Sequence, residues 1–186
     1  MSENLPAPHD DAVERIERRW ATLAVVIVTL FVVVATLGGL HQAAMPQARV
    51  ETADPRTLHL SGEFIESNLG SVIGPDGSVT VRAVGQQYSF TPPCIVVPAD
   101  TPIHIRATSA DVVHGFLIAG TNVNLMLVPG YISSFSTRFD APGERHMPCH
   151  EFCGTGHEGM WGRIKIVDKA AFAQLAADRL RVTCVE

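Results

Sequence analysis

The longest apolar stretch of the chain lies near its N-terminus. No charged residue occurs between Arg19 and Arg49, and residues 21–40 are almost all Val, Leu, Ile, Ala and Thr. At the helical rise, twenty residues extend about 30 Å, which is the thickness of the hydrocarbon core of a bilayer. The pattern therefore predicts one transmembrane helix over residues 20–41. After residue 58 no second stretch of that length is both uncharged and continuously apolar.

From residue 79 onward the pattern changes to short apolar segments separated by Pro and Gly. Ile103, Ile105 and Ala107, for example, alternate with His104 and Arg106. A period of two residues is typical of a strand with one buried face, and many short strands predict a β-sandwich or barrel. The predicted strands are 79–84, 87–90, 94–97, 103–107, 115–118, 123–128, 132–139 and 160–167.

These patterns divide the chain into five expected segments. They are an N-terminal segment over residues 1–19, the transmembrane helix over 20–41, a linker and variable segment over 42–78, a β domain over 79–168, and a C-terminal helix and tail over 169–186. Asp168 is a suitable N-cap for the terminal helix. Its predicted apolar face consists of Phe172, Leu175, Ala176 and Leu180.

The distribution of arginines predicts the orientation of the membrane helix. Three arginines stand just before the span (Arg15, Arg18 and Arg19), and only Arg49 and Arg56 follow it closely. Because positively charged flanks stay inside, we expect a cytoplasmic N-terminus and a periplasmic or extracellular domain at the plasma (inner) membrane. A cleaved signal peptide is the alternative, but its apolar core would be only about 7 to 15 residues long.

Composition excludes two classes of protein. The hydrophobic fraction of 46% is too high for a disordered chain. The formal net charge of -5, from 14 Lys plus Arg against 19 Asp plus Glu, argues against a nucleic-acid partner, because phosphate binding needs clustered basic residues. We therefore expect protein partners and membrane lipid.

Residues 147–162 contain the strongest chemical signal. Cys149, Cys153, His157 and Met160 bring two thiolates, one imidazole and one thioether into one Gly-rich segment between two predicted strands. Soft sulfur ligands combined with imidazole select copper. A single blue-copper ion would leave one Cys over, whereas two thiolates can bridge two copper ions that each need a terminal imidazole. His114, at the start of a predicted strand, is the candidate for the second imidazole.

The segment C-x-E-x-C-G-x-x-H-x-x-M, preceded by S-x-D-V-x-H-x-F, resembles subunit II of haem-copper terminal oxidases, or cytochrome c oxidase subunit II. The single span resembles the B-type members of this family. The resemblance implies a mainly β, cupredoxin-like Greek-key β-sandwich with one N-terminal transmembrane helix and a short C-terminal helix. It also implies a dinuclear copper centre, CuA, in residues 79–168.

The family pattern implies a role for each matching residue. The bridging thiolates would be Cys149 and Cys153, the terminal ligands His114 and His157, one weak ligand Met160, and the other the backbone carbonyl of Glu151. The carboxylate of Glu151 would help to hold a Mg ion shared with subunit I. The alternative for Cys149 and Cys153 is a structural disulfide.

The resemblance also implies a function in electron transfer. Cytochrome c, or another small redox protein, would pass electrons through this subunit to haem in subunit I, where O₂ is reduced to water with proton translocation. Candidates for donor docking are the aromatic residues Tyr88 and Phe90 and the acidic residues Asp111 and Glu158.

Two other functions fit part of the pattern. A CuA subunit of a nitric oxide reductase would have the same copper ligands. A membrane-anchored copper chaperone would have Pro after its second Cys, whereas Gly154 follows Cys153 here. Cys94 and Cys184 lie outside the copper motif, and on an exported domain they are candidates for a disulfide that ties the C-terminal helix to the sandwich.

Overall fold

The computed structural model describes residues 10–43, 50–177 and 179–184, in two units formed by residues 1–49 and 50–186. The first unit contains one long helix, α1 (Asp10–Ala43), which includes the predicted span. Its apolar side chains are exposed, Phe31 to 70%. A helix this long and apolar meets the requirement for crossing a bilayer. Residues 1–9 of the expected N-terminal segment (1–19) and residues 44–49 of the expected linker (42–78) lie outside the described residues.

Ten strands and one short helix make up the described second unit. The strands are β1 (Gly70–Ile73), β2 (Val79–Gln86), β3 (Ser89–Thr91), β4 (Cys94–Pro98), β5 (Ile103–Ser109), β6 (His114–Leu117), β7 (Asn124–Leu127), β8 (Ser133–Thr137), β9 (Gly143–Pro148) and β10 (Trp161–Val167), followed by helix α2 (Lys169–Ala177). Short 3-10 turns occur at Glu66–Asn68 and His157–Gly159.

The strands form two main sheets and one small pair. The first sheet has the order β1-β2-β5-β8, and β3 also pairs with β2. The second sheet has the order β4-β10-β9, and β6 pairs with β7. The pairs β2–β5 and β4–β10 are parallel, whereas the other pairs are antiparallel. This is the mainly β architecture that the sequence predicts.

The core lies between the two main sheets. In β5, Ile103, Ile105 and Ala107 are buried, His104 is exposed and Arg106 is half-buried, which confirms the predicted alternation. Burying each large aliphatic side chain stabilises the fold by about 1.5 to 3 kcal/mol. Further core side chains are Val79 and Val81 of the first sheet, Ile95, Val97, Ile164 and Ile166 of the second, and Phe116 of the small β6–β7 pair.

The segment before β1 packs on the first sheet. Leu58, Phe64 and Leu69 form a small apolar cluster with Val84 of β2. This region belongs to the segment that the sequence analysis assigned to a linker and variable part over 42–78. Because its apolar side chains are buried on the domain, the described residues 50–69 form part of the folded unit.

Ion pairs fasten the same segment to the sheet. The Glu63 carboxylate accepts hydrogen bonds from Arg82 Nε at 3.0 Å and from Arg106 Nε at 2.5 Å, and Glu51 also pairs with Arg106. Burial alone would raise the pKa of Glu63, but the hydrogen bonds and charges of Arg106 and Arg82 outweigh it and lower the pKa below its ordinary value. The carboxylate therefore stays ionised between the two guanidinium groups.

The C-terminal tail pairs with one strand of each main sheet and so bridges the two sheets. Val182 pairs with Ser71 of β1, and Thr183 pairs with Ile95 of β4. Cys184 forms a disulfide with Cys94, with a Cα–Cα distance of 5.4 Å. The tail thus joins an edge of each main sheet.

Helix α2 is shorter than the sequence pattern suggests. Phe172 is buried, and its N–H donates to the carbonyl of Asp168. The helix ends at Ala177, so the predicted membership of Leu180 in its apolar face is wrong. Leu180 is 89% exposed because the chain leaves the helix before reaching it.

Candidate metal centre

The loop between β9 and β10 contains most of the candidate ligands. Cys149 immediately follows β9, and Met160 immediately precedes β10. The Cys149 N–H donates to the Met160 carbonyl at 3.0 Å, which closes the base of the loop. Because β9 and β10 pair directly beside this bond, the sheet holds both ends of the loop. The remaining candidate ligand, His114, is the first residue of β6 and lies outside this loop.

The two thiols lie at the centre of the cluster. The distances are 3.9 Å for Cys149 Sγ to Cys153 Sγ, 3.9 Å for Cys149 Sγ to His114 Nδ1, 3.6 Å for Cys153 Sγ to His157 Nδ1, 3.7 Å for Cys153 Sγ to Met160 Sδ, and 3.2 Å for Cys149 Sγ to the Glu151 carbonyl oxygen. Sulfur and nitrogen ligands of one tetrahedral metal ion lie about 3.6 to 3.8 Å apart. The donor atoms are therefore spaced as they would be around bound metal.

The cluster is sheltered from water. His114, Cys149, Cys153 and Met160 are buried, and His157 is half-buried. Cys149 and Cys153 are free thiols, whereas the cysteines outside the loop are joined. Burial, followed by the hydrogen bond and charge of Cys149, raises the pKa of Cys153 to about 11. A metal ion must displace a proton from this thiol, so binding couples to proton release.

Asp111 orients the buried imidazole. His114 Nε2 lies 2.8 Å from Asp111 Oδ1, and Nδ1 of the same ring faces Cys149. An ionised carboxylate beside Nε2 accepts a hydrogen bond from it, so the hydrogen of the neutral ring stays on Nε2. The other nitrogen, Nδ1, is then the atom that can bind a metal. Burial would raise the pKa of Asp111, but hydrogen bonds from the N–H of Gln87 and from His114 outweigh it and lower that pKa.

Gln87 connects Asp111 to the ligand loop, a role that the sequence analysis did not identify. Its backbone N–H donates to Asp111 Oδ2 at 2.7 Å, and its side-chain amide donates to the carbonyl of Cys153. Gln87 and Cys153 are 66 residues apart, and Gln87 belongs to no motif. No local signal in the sequence could have identified it.

Comparisons with known proteins agree with this geometry. Residues 79–167 match the family described as cytochrome c oxidase subunit II, periplasmic domain. A cytochrome c oxidase subunit 2 of Thermus thermophilus is 31% identical over 152 residues, covering 81% of this chain and 90% of the relative. The chain belongs to the cytochrome c oxidase subunit II family.

Two further relatives support this membership. Another subunit 2 sequence from Thermus thermophilus is 32% identical over 131 residues, covering 70% of this chain and 97% of the relative. A chain in a cryo-EM structure of a haem-copper terminal oxidase dimer has a TM-score of 0.53 and 27% identity, covering 79% of this chain and 99% of that chain. Neither relative favours the nitric oxide reductase or chaperone alternatives.

Family membership establishes the general function. This subunit II is the electron-entry subunit of a haem-copper oxidase, a membrane-anchored and copper-binding part of an oxidoreductase complex that also contains subunit I. Its β unit has the cupredoxin-like fold that the resemblance implies. The donor set of this chain fits copper, because thiolate, thioether and imidazole groups converge in one buried place.

The candidate docking residues of subunit II differ in their exposure. Tyr88 is 39% exposed and Glu158 is exposed, whereas Phe90 is 1% exposed and packs edge-on against Phe116 in the core. Phe90 therefore has no surface to offer a partner. Phe152, which the sequence analysis did not identify, is 74% exposed beside His157, with ring centroids 5.8 Å apart.

Proposed function

We propose that this chain holds a dinuclear CuA centre and relays single electrons from a soluble donor to subunit I. The observation that carries the proposal is the symmetry of the donors. Two thiols face each other at 3.9 Å, and each has its own imidazole beyond it. A single copper ion with one thiolate would leave the second thiol unused, whereas two copper ions would use both thiols and both imidazoles.

Each thiol also has one weaker donor beside it. Met160 Sδ lies next to Cys153, and the carbonyl oxygen of Glu151 lies next to Cys149. This division suits a pair of ions in which Met160 contributes to one and Glu151 to the other. When bound, the copper pair would supply a site that shares one electron between two ions.

The protein contributes rigidity and shelter to this relay. The ligand loop is closed by the bond from Cys149 to Met160, and hydrogen bonds anchor His114 and the Cys153 backbone. Burial excludes water from both thiols. A ligand set that is already in place changes little when an electron arrives, so transfer needs little rearrangement.

We propose Glu151 as the magnesium ligand of this chain. Its carbonyl contacts Cys149, and its half-buried side chain provides a separate carboxylate of the type that Mg²⁺ prefers. The remaining oxygen ligands would come from subunit I. The magnesium would then lie between the copper loop and the catalytic subunit.

The proposed orientation places the N-terminus in the cytoplasm and the copper domain in the periplasm or outside the cell. Arginines before the span support it. The disulfide between Cys94 and Cys184 also supports it, because such bonds persist in oxidising compartments. Membrane lipid would surround α1, whose apolar side chains are exposed.

The proposed donor is cytochrome c or another small redox protein. Tyr88 and Glu158 are exposed close to the ligand loop, and Asp111 exposes 33% of its side chain. Acidic side chains around the entry point would steer a basic donor into place.

Electron paramagnetic resonance with a copper count tests the copper proposal. The full-length chain, purified in detergent and loaded with copper, should hold two copper ions and show hyperfine splitting from one electron shared by both nuclei. His157→Ala should destroy this pattern, and His104→Ala, which changes an exposed histidine on β5, should preserve it. One copper ion per chain with a single-nucleus pattern would contradict the proposal.

A further inference from the structure

The turn between β2 and β3 touches the ligand loop from the opposite sheet. Gln87 and Tyr88 form this turn on the first sheet, whereas the loop joins β9 and β10 of the second. Neither residue supplies a ligand atom to the cluster of thiols and imidazoles. Their contacts nevertheless reach both sides of that cluster.

Gln87 joins the two halves of the centre through hydrogen bonds. Its side-chain amide donates to the Cys153 carbonyl, and its backbone N–H donates to Asp111. Asp111 in turn holds His114 by Nε2. A continuous chain of hydrogen bonds thus runs from the backbone of one thiol ligand to the imidazole beside the other thiol.

Tyr88 covers the second part of the loop. A Cβ atom on Gly156 would lie 2.6 Å from Cδ2 of the Tyr88 ring, and a Cβ on Gly154 would lie 2.6 Å from its hydroxyl oxygen. A side chain at Gly156 would therefore displace the Tyr88 ring, and Gly154 has in addition a φ of +134°, which disfavours any other residue. The ring therefore packs directly on the loop backbone between Cys153 and His157.

We propose that the Gln87–Tyr88 turn is a clamp that positions the copper loop, with Gln87 tying Cys153 to the residue that orients His114. Both residues are positioning residues, since they act through the ligands. The clamp holds the loop in its ligand-ready shape before copper arrives and slows copper loss afterwards. The second effect rests on the proposed copper function, whereas the first does not.

Hydrogen exchange of the copper-free, full-length chain tests the first effect. The N–H groups of His157 and Gly159 donate to the carbonyls of Gly154 and Gly156, so their exchange reports opening of the loop beneath Tyr88. Losing one hydrogen bond of ordinary net strength should speed exchange about two- to tenfold in Gln87→Ala. Tyr88→Ala should speed the exchange of the same N–H groups by a similar factor, because it removes the ring that packs on the loop.

Matched variants separate the clamp from general loss of stability. Gln86→Ala removes the same carboxamide one residue earlier, on strand β2, and Tyr88→Phe keeps the ring over the glycines. Both should exchange like the unmodified chain. Thermal unfolding of all four variants should show midpoints close to that of the unmodified chain.

Copper release provides the second measurement. Gln87→Ala should still bind two copper ions, lose them to a chelator about two- to tenfold faster, and show a broader spread of hyperfine couplings because its loop samples more shapes. Exchange and release rates equal to those of the unmodified chain in both Gln87→Ala and Tyr88→Ala would overturn the clamp. If the unmodified chain binds no copper, the copper function fails and hydrogen exchange still decides the clamp.

Discussion

The disulfide between Cys94 and Cys184 provides a prediction whose magnitude follows from its position. It joins residues separated by 90 positions, so it closes most of the β unit into one loop. The chain-entropy relation assigns a loop of about 90 residues a stabilisation of about 4.6 kcal/mol at 25 °C, as an upper value. Cys184→Ser should therefore lower the free energy of unfolding by about 3 to 4.6 kcal/mol.

Urea unfolding of the copper-free, full-length chain, with the unfolded fraction detected by pulse proteolysis, measures this difference. With an m-value of about 2 kcal/mol per molar urea, the midpoint should fall by about 1.5 to 2.3 M. Thr183→Ser, which changes the neighbouring residue and keeps the disulfide, should leave the midpoint within about 0.3 M, because it removes one methyl group from a half-buried side chain and so costs less than the roughly 0.8 kcal/mol of a fully buried methylene.

Two further results would refute the reasoning about the disulfide. The unreduced, unfolded, copper-free chain should expose two reactive thiols out of four cysteines, and finding four would show that the bond is absent. A fall in the midpoint of less than about 0.3 M would show that closing the loop contributes nothing measurable. Cys184→Ser should also keep the copper spectrum, because neither cysteine of this pair is a proposed ligand.

Two other predictions concern charged residues. Glu63→Gln should lower the free energy of unfolding by about 2 kcal/mol at pH 7, because it leaves Arg82 and Arg106 without their shared carboxylate. Since the folded-state pKa of Glu63 lies below the ordinary 4.5, the difference should shrink as the pH falls through that lower value, and equal differences at pH 7 and pH 3 in urea titrations would contradict the assignment. Replacing Glu158 by Gln should slow reduction by a cationic cytochrome at low salt and much less at high salt, whereas replacing Asp111 by Asn should slow it at both, because Asp111 also orients His114. Stopped-flow rates unchanged by both replacements would remove these residues from the docking surface, and Asp140→Asn, at the far end of β9 from the copper loop, is the control.

The candidate centre could be predicted from sequence mainly because its ligands are local. Cys149, Cys153, His157 and Met160 stand in one loop, so their spacing alone indicates a shared metal. His114 is distant in sequence, and only its surrounding motif identified it. The strands were also predictable, since β5 alternates buried and more open positions from Ile103 to Ala107.

The contacts that support the centre could not be predicted in this way. The bond from Gln87 to Cys153 depends on how two sheets face each other, and that arrangement leaves no periodic trace in either segment. The ion pairs of Glu63 arise because residues before β1 fold back on β2 and β5. Leu180 fits a helical period, but the tail leaves the helix to pair with both sheets, and tertiary contacts overrode the local pattern.

The parallel pairing of β4 with β10 determines when during synthesis the centre can exist. Cys94 lies opposite Arg163, so this ladder joins strands that emerge far apart in time from the ribosome. Contacts between distant parts of a chain form slowly, because a long loop must close before they stabilise anything. The ligand loop ends directly before β10, and its base is held only after that strand has docked. A ligand loop with both ends held therefore exists only once all ten described strands have been synthesised.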